Sequence, residues 1–288
     1  MKRALVLGGG GAVGIAWESG LAVGLREGGV ELREADVIVG TSAGSIVGAR
    51  LAAGQDVAGR PPGGNLTLPS APGGPDLARV REVFALWSEA RTPEALDAAR
   101  RRAIAKLAQQ ARTATVDAWV AGSAGPLAID DWPERDLRLV AVDAQDGARR
   151  IFTRESGAPV GRAIAASCAV PGLFPVVDID GRNYIDGGVY SGTSADVVAD
   201  AALDVVLVIA PMSARSISFG AVCEQLLERE VAVLRAAGAH VCVVLPDDDD
   251  LRAFGNDLLD PSHFEAARVR GAERGRALAR AEAALWRA

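Results

Sequence analysis

Val37-Ile38-Val39-Gly40-Thr41-Ser42-Ala43-Gly44-Ser45-Ile46-Val47-Gly48-Ala49 joins a short apolar run, a serine between glycines and a helix-like segment without a break. Gly-x-Ser-x-Gly at a strand-to-helix turn is the signature of a nucleophile elbow. The turn is sharp, so its flanking positions, Gly40 and Gly44, need residues without bulk. It lifts the serine oxygen clear of the sheet and leaves the next backbone N–H free to stabilise an oxyanion. The five-residue pattern alone is weak in a chain of 288 residues with 33 glycines. Its surroundings give it weight.

Working outward, strand-like apolar runs at residues 4–7, 37–39, 137–142, 205–209 and 241–245 alternate with helix-like runs. The helices are expected near 14–26, 45–53, 160–166 and 219–237. Near-continuous Val, Ile and Leu in strands that alternate with helices mark a parallel sheet covered on both faces. The expected class is therefore α/β, with three α/β/α layers around a mostly parallel sheet. A hairpin is expected at 176–179 and 183–185, turning at Asp180-Gly181.

Residues 54–76 break this rhythm with glycine and proline, and read as a surface loop or a lid. Residues 77–120 then show helical spacing at Val80, Phe84 and Trp87, and again at Ile104, Leu107 and Ala111. We read 1–288 as a single domain in which 54–136 is a loop and helical insertion packed beside the sheet. Arg100-Arg101-Arg102 within it reads as a solvated face. Asp247 to Asp250 read as a solvated turn, since the spacing of a calcium loop is absent. Ser262-His263-Phe264-Glu265 reads as a capping box opening the last helix.

Composition narrows the function. The chain is 49% hydrophobic but only 5% aromatic, so a large core must be built from Ala, Val, Leu and Ile. A net charge of -6 argues against nucleic acid as partner, because phosphate recognition wants a basic face. The same balance does not favour anionic lipid surfaces, although local patches leave peripheral membrane contact open. Cys168, Cys223 and Cys242 show no metal spacing, and their odd number suggests reduced thiols in a cytoplasmic protein. His240 and His263 are too few for a histidine-rich metal site. Met1-Lys2-Arg3 followed by an apolar run reads as a first strand rather than a secretion signal.

That first strand runs into Gly8-Gly9-Gly10-Gly11-Ala12-Val13-Gly14, where residues 9–14 fit Gly-x-Gly-x-x-Gly. A dinucleotide site wants an acidic residue at the end of the second strand, about 20 residues on. Here that end is Gly40-Thr41-Ser42, and Asp36 lies before the strand. An oxyanion hole built from unhindered backbone N–H groups is the better reading. If the first two strands are neighbours, the glycine loop faces Ser42.

A serine hydroxyl needs a base. His240 begins a strand, the end opposite a site formed at strand C-termini. His263 lies near the start of the last helix and suits a Ser, Asp, His order only in part. Asp186, in Tyr184-Ile185-Asp186-Gly187-Gly188, follows a short strand and precedes two glycines that allow a tight turn and a close substrate approach.

The three motifs, in this order, resemble the patatin-like phospholipases, which share GGGxxG, GxSxG and a late DG[GA]. The run Ala166-Ser167-Cys168-Ala169-Val170-Pro171-Gly172-Leu173-Phe174-Pro175 is similar to that family as well. The resemblance implies a Ser–Asp dyad without histidine, metal or cofactor. Ser42 would be the nucleophile, Asp186 the general base, and Gly9, Gly10 and Gly11 the oxyanion donors, with Gly14, Gly40, Gly44, Gly187 and Gly188 as motif glycines. It implies a lipid or fatty-acyl ester as substrate, with part of the apolar lining coming from 54–136. One departure is Val13, where the family usually has Arg or Lys. It motivates an alternative, a catalytically silent binding or regulatory protein on the same fold. A nucleotide-binding oxidoreductase is the remote alternative.

Overall fold

Strand β1 (Arg3–Leu7) lies between two parallel neighbours, one of which is the strand that leads into Ser42. The computed structural model describes residues 1–59, 61–214 and 219–287. After β1 the chain forms α1 (Gly11–Glu27), β2 (Val37–Thr41) and α2 (Ala43–Ala52). The stretch between α2 and residue 76 carries no strand or helix among its described residues; Arg60 lies outside them. Three helices follow, α3 (Leu77–Ser88), α4 (Ala98–Gln110) and α5 (Val116–Ser123). Then come β3 (Asp136–Asp143), β4 (Arg149–Phe152), α6 (Val160–Ser167) and the hairpin β5 (Val177–Ile179) and β6 (Arg182–Asp186). The chain ends with β7 (Val205–Ile209), α7 (Gly220–Ala236), β8 (His240–Val244), α8 (Asp248–Phe254) and α9 (Phe264–Arg287).

The sheet order is β5-β6-β3-β2-β1-β7-β8, with β4 paired to β3. Strands β3, β2, β1, β7 and β8 run parallel, and β4, β5 and β6 bring the antiparallel pairings. Successive side chains of a strand point to opposite faces, and that alternation builds the layers. Leu5, Leu7, Ile38, Leu207 and Ile209 face one side, where Trp17 and Leu21 of α1 and Val47 of α2 complete the core. Ala4, Val6, Val37, Val39, Val206 and Val208 face the other, against Leu227, Val231 and Leu234 of α7. The expected three-layer α/β/α arrangement is the one found. A smaller core joins Val83 and Trp87 of α3, Ile104 and Ala105 of α4, and Val142 and Ile185 of the sheet. Helices α3 and α4 thus pack on the sheet.

The β5–β6 turn has φ of 52° at Asp180 and 76° at Gly181, the paired left-handed conformation of a tight hairpin. Strand β4 was not legible in the sequence, because Arg149-Arg150-Ile151-Phe152 is short and half polar.

Three local readings are corrected. Asp247 to Asp250 are no solvated turn: Asp247 and Asp250 each accept the other's backbone N–H and open α8 as a capping box. Asp250 is fully buried and accepts a hydrogen bond from Trp17 Nε1 at 3.1 Å. The box expected at Ser262 and Glu265 is replaced by Asp260, which accepts from the Ser262 N–H ahead of a 3-10 turn, while Glu265 pairs with Arg268. Nor is the arginine triplet simply a solvated face. Arg100 donates to Leu86 O, and Arg101 donates to Gly147 O while lying over the Tyr190 ring at 4.6 Å.

Helices α1 and α9 meet through glycines. A Cβ on Gly20 or Gly24 would fall 2.1 Å from the carbonyl oxygens of Arg268 or Ala272, and one on Gly271 would fall 2.3 Å from Trp17 O. The obstacles are backbone atoms, so they yield only if the helices separate. Gly24→Val is expected to destabilise the protein by about 1–3 kcal/mol, the usual range for overpacking. Thermal unfolding checks this, as a fall in Tm of roughly 2–4 °C per kcal/mol.

Candidate active site

Strands β1 and β2 pair in parallel with Leu7 opposite Gly40, so the glycine loop and the serine turn leave the sheet side by side. Gly44 N–H donates to Gly8 O at 3.0 Å and fastens one turn to the other. The glycines of the elbow are required by space. A Cβ on Gly40 would meet Gly44 O at 2.6 Å, and one on Gly44 would meet Leu7 O at 2.1 Å.

Ser42 has φ of 52° and ψ of -117°, a sparsely populated region for a residue with a side chain. Such strain costs on the order of 1–3 kcal/mol and persists only where neighbours hold it. Here the holders are identifiable. Ser42 N–H donates to Ser167 Oγ at 3.0 Å. Ser42 O accepts from Ser45 Oγ at 2.6 Å and from Cys168 Sγ at 3.1 Å. Ser167 and Cys168 belong to the run quoted above, but nothing in their spacing reveals that they brace the elbow.

Asp186 ends β6, beside β3, and its side chain is 3% exposed. Its N–H donates to Ala169 O at 3.0 Å, which holds the strand end against the segment after α6. Oδ1 accepts the Gly188 N–H at 2.7 Å. Oδ2 is buried and, among the described residues, accepts no hydrogen bond of good geometry. Burial pushes the Asp186 carboxyl up to about 7, against smaller opposing contributions from the adjacent Ser42 side chain and the Gly188 N–H. Ser42 and Asp186 therefore lie side by side in one cleft, with Ser42 beside the carboxylate rather than firmly bonded to it. A buried carboxyl titrating near neutrality is suited to accept a proton. Gly187 has no room for a side chain, since its Cβ would meet Val140 O at 2.4 Å.

The expected oxyanion donors divide. Gly9 N–H donates to Gly192 O at 2.8 Å, so Gly9 is withdrawn from the set. Among the described residues the Gly10 and Gly11 amides have no protein acceptor, and both residues line the cleft with Ser42. Gly10 caps α1, whose first turn holds no acidic residue. The helix N-terminus thus presents free N–H groups and a positive dipole end. Gly14 packs against Ala43 Cβ, keeping α1 close to the elbow. Val13 is fully buried, and its N–H donates to Leu258 O at 3.0 Å. The position where a cation was expected is a core contact that ties the glycine loop to the segment after α8.

The cleft measures about 630 Å³. Phe84 and Trp87 of α3 line it with Phe219; Trp87 and Phe219 stack at 4.5 Å. Leu251 of α8, Leu258 and Leu259 also line it, and exposed Asp248, Arg252 and Asp257 lie at its rim. Helix α3 supplies apolar wall through Phe84 and Trp87. Among the described residues the loop 54–76 contributes none of the lining, and the segment from α8 to Leu259 contributes to it instead.

His240 begins β8 opposite Val205, at the strand end away from the cleft. His263 Nδ1 lies 3.2 Å from Ala253 O, and its ring packs on Gly255. Neither lines the cleft with Ser42.

The family model for patatin-like phospholipase matches residues 5–199. The chain belongs to the patatin-like phospholipase family. All three glycine-bearing motifs fall within the match, and β7, β8 and the last three helices extend beyond it. Among solved structures the chain is similar to VipD from Legionella pneumophila, at 14% identity with a TM-score of 0.42, over 97% of this chain and 67% of that one. Among the described residues no helix of this patatin-like chain is long and apolar enough to cross a membrane.

Proposed function

We propose that this patatin-like protein is a lipid acyl hydrolase that cleaves carboxylic esters through Ser42 and Asp186. The observation that carries the reading is the convergence in one cleft of a strained serine, a buried carboxyl adjacent to it and two unengaged glycine amides. Asp186 takes the Ser42 proton as Oγ attacks the ester carbonyl. The resulting oxyanion accepts hydrogen bonds from the Gly10 and Gly11 amides. Collapse of the tetrahedral intermediate releases the alcohol, which takes the proton from Asp186, and leaves an acyl-enzyme. Water then repeats the sequence and releases the fatty acid.

A positioned base is worth on the order of 10²–10⁴-fold, and each oxyanion donor on the order of 10²–10³-fold. The aromatic wall and the leucines suit an acyl chain, and the open rim suits the polar part of the ester. Val13 does not weaken the reading, since backbone donors are independent of that side chain.

Labelling with a fluorophosphonate, followed by a chain-length series of p-nitrophenyl esters, tests the proposal. Modification at Ser42 and saturable hydrolysis are the expected results. An unlabelled protein without esterase activity would return the reading to a silent member of the family. His240→Ala and His263→Ala are expected to keep kcat/KM within about tenfold of the parent, well short of the loss of a general base. A loss of about 100-fold or more in either variant would point to a histidine triad.

A further inference from the structure

Glu230, on α7, is 6% exposed and has no part in the chemistry just described. Its carboxylate accepts three hydrogen bonds from one loop. Oε1 accepts from Ser191 Oγ at 2.5 Å, and Oε2 accepts from Thr193 Oγ1 at 2.6 Å and from Ala195 N–H at 2.8 Å. Ser191 Oγ in turn accepts the N–H groups of Thr193 and Ser194, at 3.2 and 3.1 Å. The loop needs this hold, because Ser194 has φ of 52°, a left-handed conformation disfavoured for a residue with a side chain.

The held loop touches all three motifs. Gly192 O accepts the Gly9 N–H at 2.8 Å, and so anchors the glycine loop. Thr193 O accepts from Thr41 Oγ1 at 3.3 Å, one residue before Ser42. Tyr190 and Ser191 donate their N–H groups to Gly187 O at 2.9 and 3.2 Å, one residue after Asp186. Arg149, paired with Asp196, supplies the nearby cation, and Asp196 and Cys223 are the other titratable groups around the carboxylate.

We propose that Glu230 is a positioning residue, setting the mutual alignment of the glycine loop, the serine elbow and the aspartate turn through the 190–195 loop. The proposal rests on the acyl-hydrolase reading. Glutamine cannot replace it. An amide has one acceptor oxygen, and each half of the Glu230 carboxylate receives a donor. If the NH₂ faces Ser191, it meets an oxygen whose two lone pairs are already used. If it faces Thr193 and Ala195, it opposes the Ala195 N–H, a fixed donor, and forces the Thr193 hydroxyl to turn and accept.

For Glu230→Gln, kcat on a short p-nitrophenyl ester is expected to fall by about 10–100-fold with KM little changed, the pattern of reacting groups displaced by a fraction of an ångström. Hydrogen exchange at the Gly9 amide and at residues 193–195 is expected to accelerate. Val231→Ala, the next residue in the core, serves as control: it lowers Tm while leaving the three hydrogen bonds to the Glu230 carboxylate in place. A Glu230→Gln enzyme with kcat within about twofold of the parent, or a Val231→Ala enzyme that loses as much kcat for the same loss of Tm, would overturn the proposal. If Glu230→Gln does not fold, Thr193→Val removes one of the three bonds, and an unchanged kcat there overturns it equally. If the parent protein hydrolyses no ester, the hydrolase reading fails instead. The Gly9 exchange rate then still decides the tie, and an unchanged rate in Glu230→Gln refutes it.

Discussion

Ser42→Ala is expected to lower kcat/KM for a p-nitrophenyl ester by about 10⁴–10⁶-fold, toward the uncatalysed background, because loss of the nucleophile removes the acyl-enzyme route altogether. The fold has little reason to change. Alanine keeps the Cβ, and the bonds that brace the elbow use the backbone N–H and C=O of residue 42 rather than its hydroxyl. The cleft, its aromatic wall and the free amides stay in place, so ligand binding should persist while turnover does not. Steady-state kinetics with a fluorescent fatty acid as binding probe separates the two. Residual turnover above about 1% of the parent would show that another group attacks the ester.

Asp186→Asn carries the second large effect, with two parts of opposite sign. Hydrolysis should fall by about 10²–10⁴-fold, the worth of a general base. In the parent the base works only when ionised, so kcat/KM should rise with pH through about 7, the value to which burial pushes Asp186. The variant should lose that limb. Stability should move the other way. The folded protein holds the Asp186 proton more tightly than the unfolded chain, whose aspartate titrates near 3.8. The stabilising contribution of the protonated group is therefore complete below about pH 4 and is lost as pH rises through about 7. Over that window the parent gives up about 4 kcal/mol at this one residue. Asparagine keeps an acceptor for the Gly188 N–H and has no charge to desolvate. Denaturant unfolding at pH 8 should find Asp186→Asn the more stable protein, with the advantage gone near pH 4. A variant less stable than the parent at pH 8 would show that the buried carboxylate is better solvated than its surroundings indicate.

Much of this was legible in the chain itself, for reasons local to each element. A parallel strand buried on both faces must be apolar throughout, so the runs at 205–209 and 37–39 announced their strands. The turn after β2 admits no side chain at Gly40 or Gly44, so the elbow carries its own spelling. Strand β4 escaped because half its residues are polar. The acidic run before α8 was misread because a capping box of two aspartates looks, in sequence, like any solvated acidic turn; its buried partner, Trp17, lies more than 200 residues away. The partner of the Gly9 amide escaped for the same kind of reason, since it is Gly192, far along the chain.

The chain alone determined the layers and the strand-to-helix turn and singled out Ser42 and Asp186 as candidates, because these depend on period, bulk and backbone freedom within a few neighbours. Only the tertiary structure decided which glycine amides stay free, what braces the strained serine, which helices wall the cleft and how far burial moves the Asp186 proton. Each of those is a contact between segments distant in the chain, and desolvation and hydrogen-bond competition act on neighbours in space.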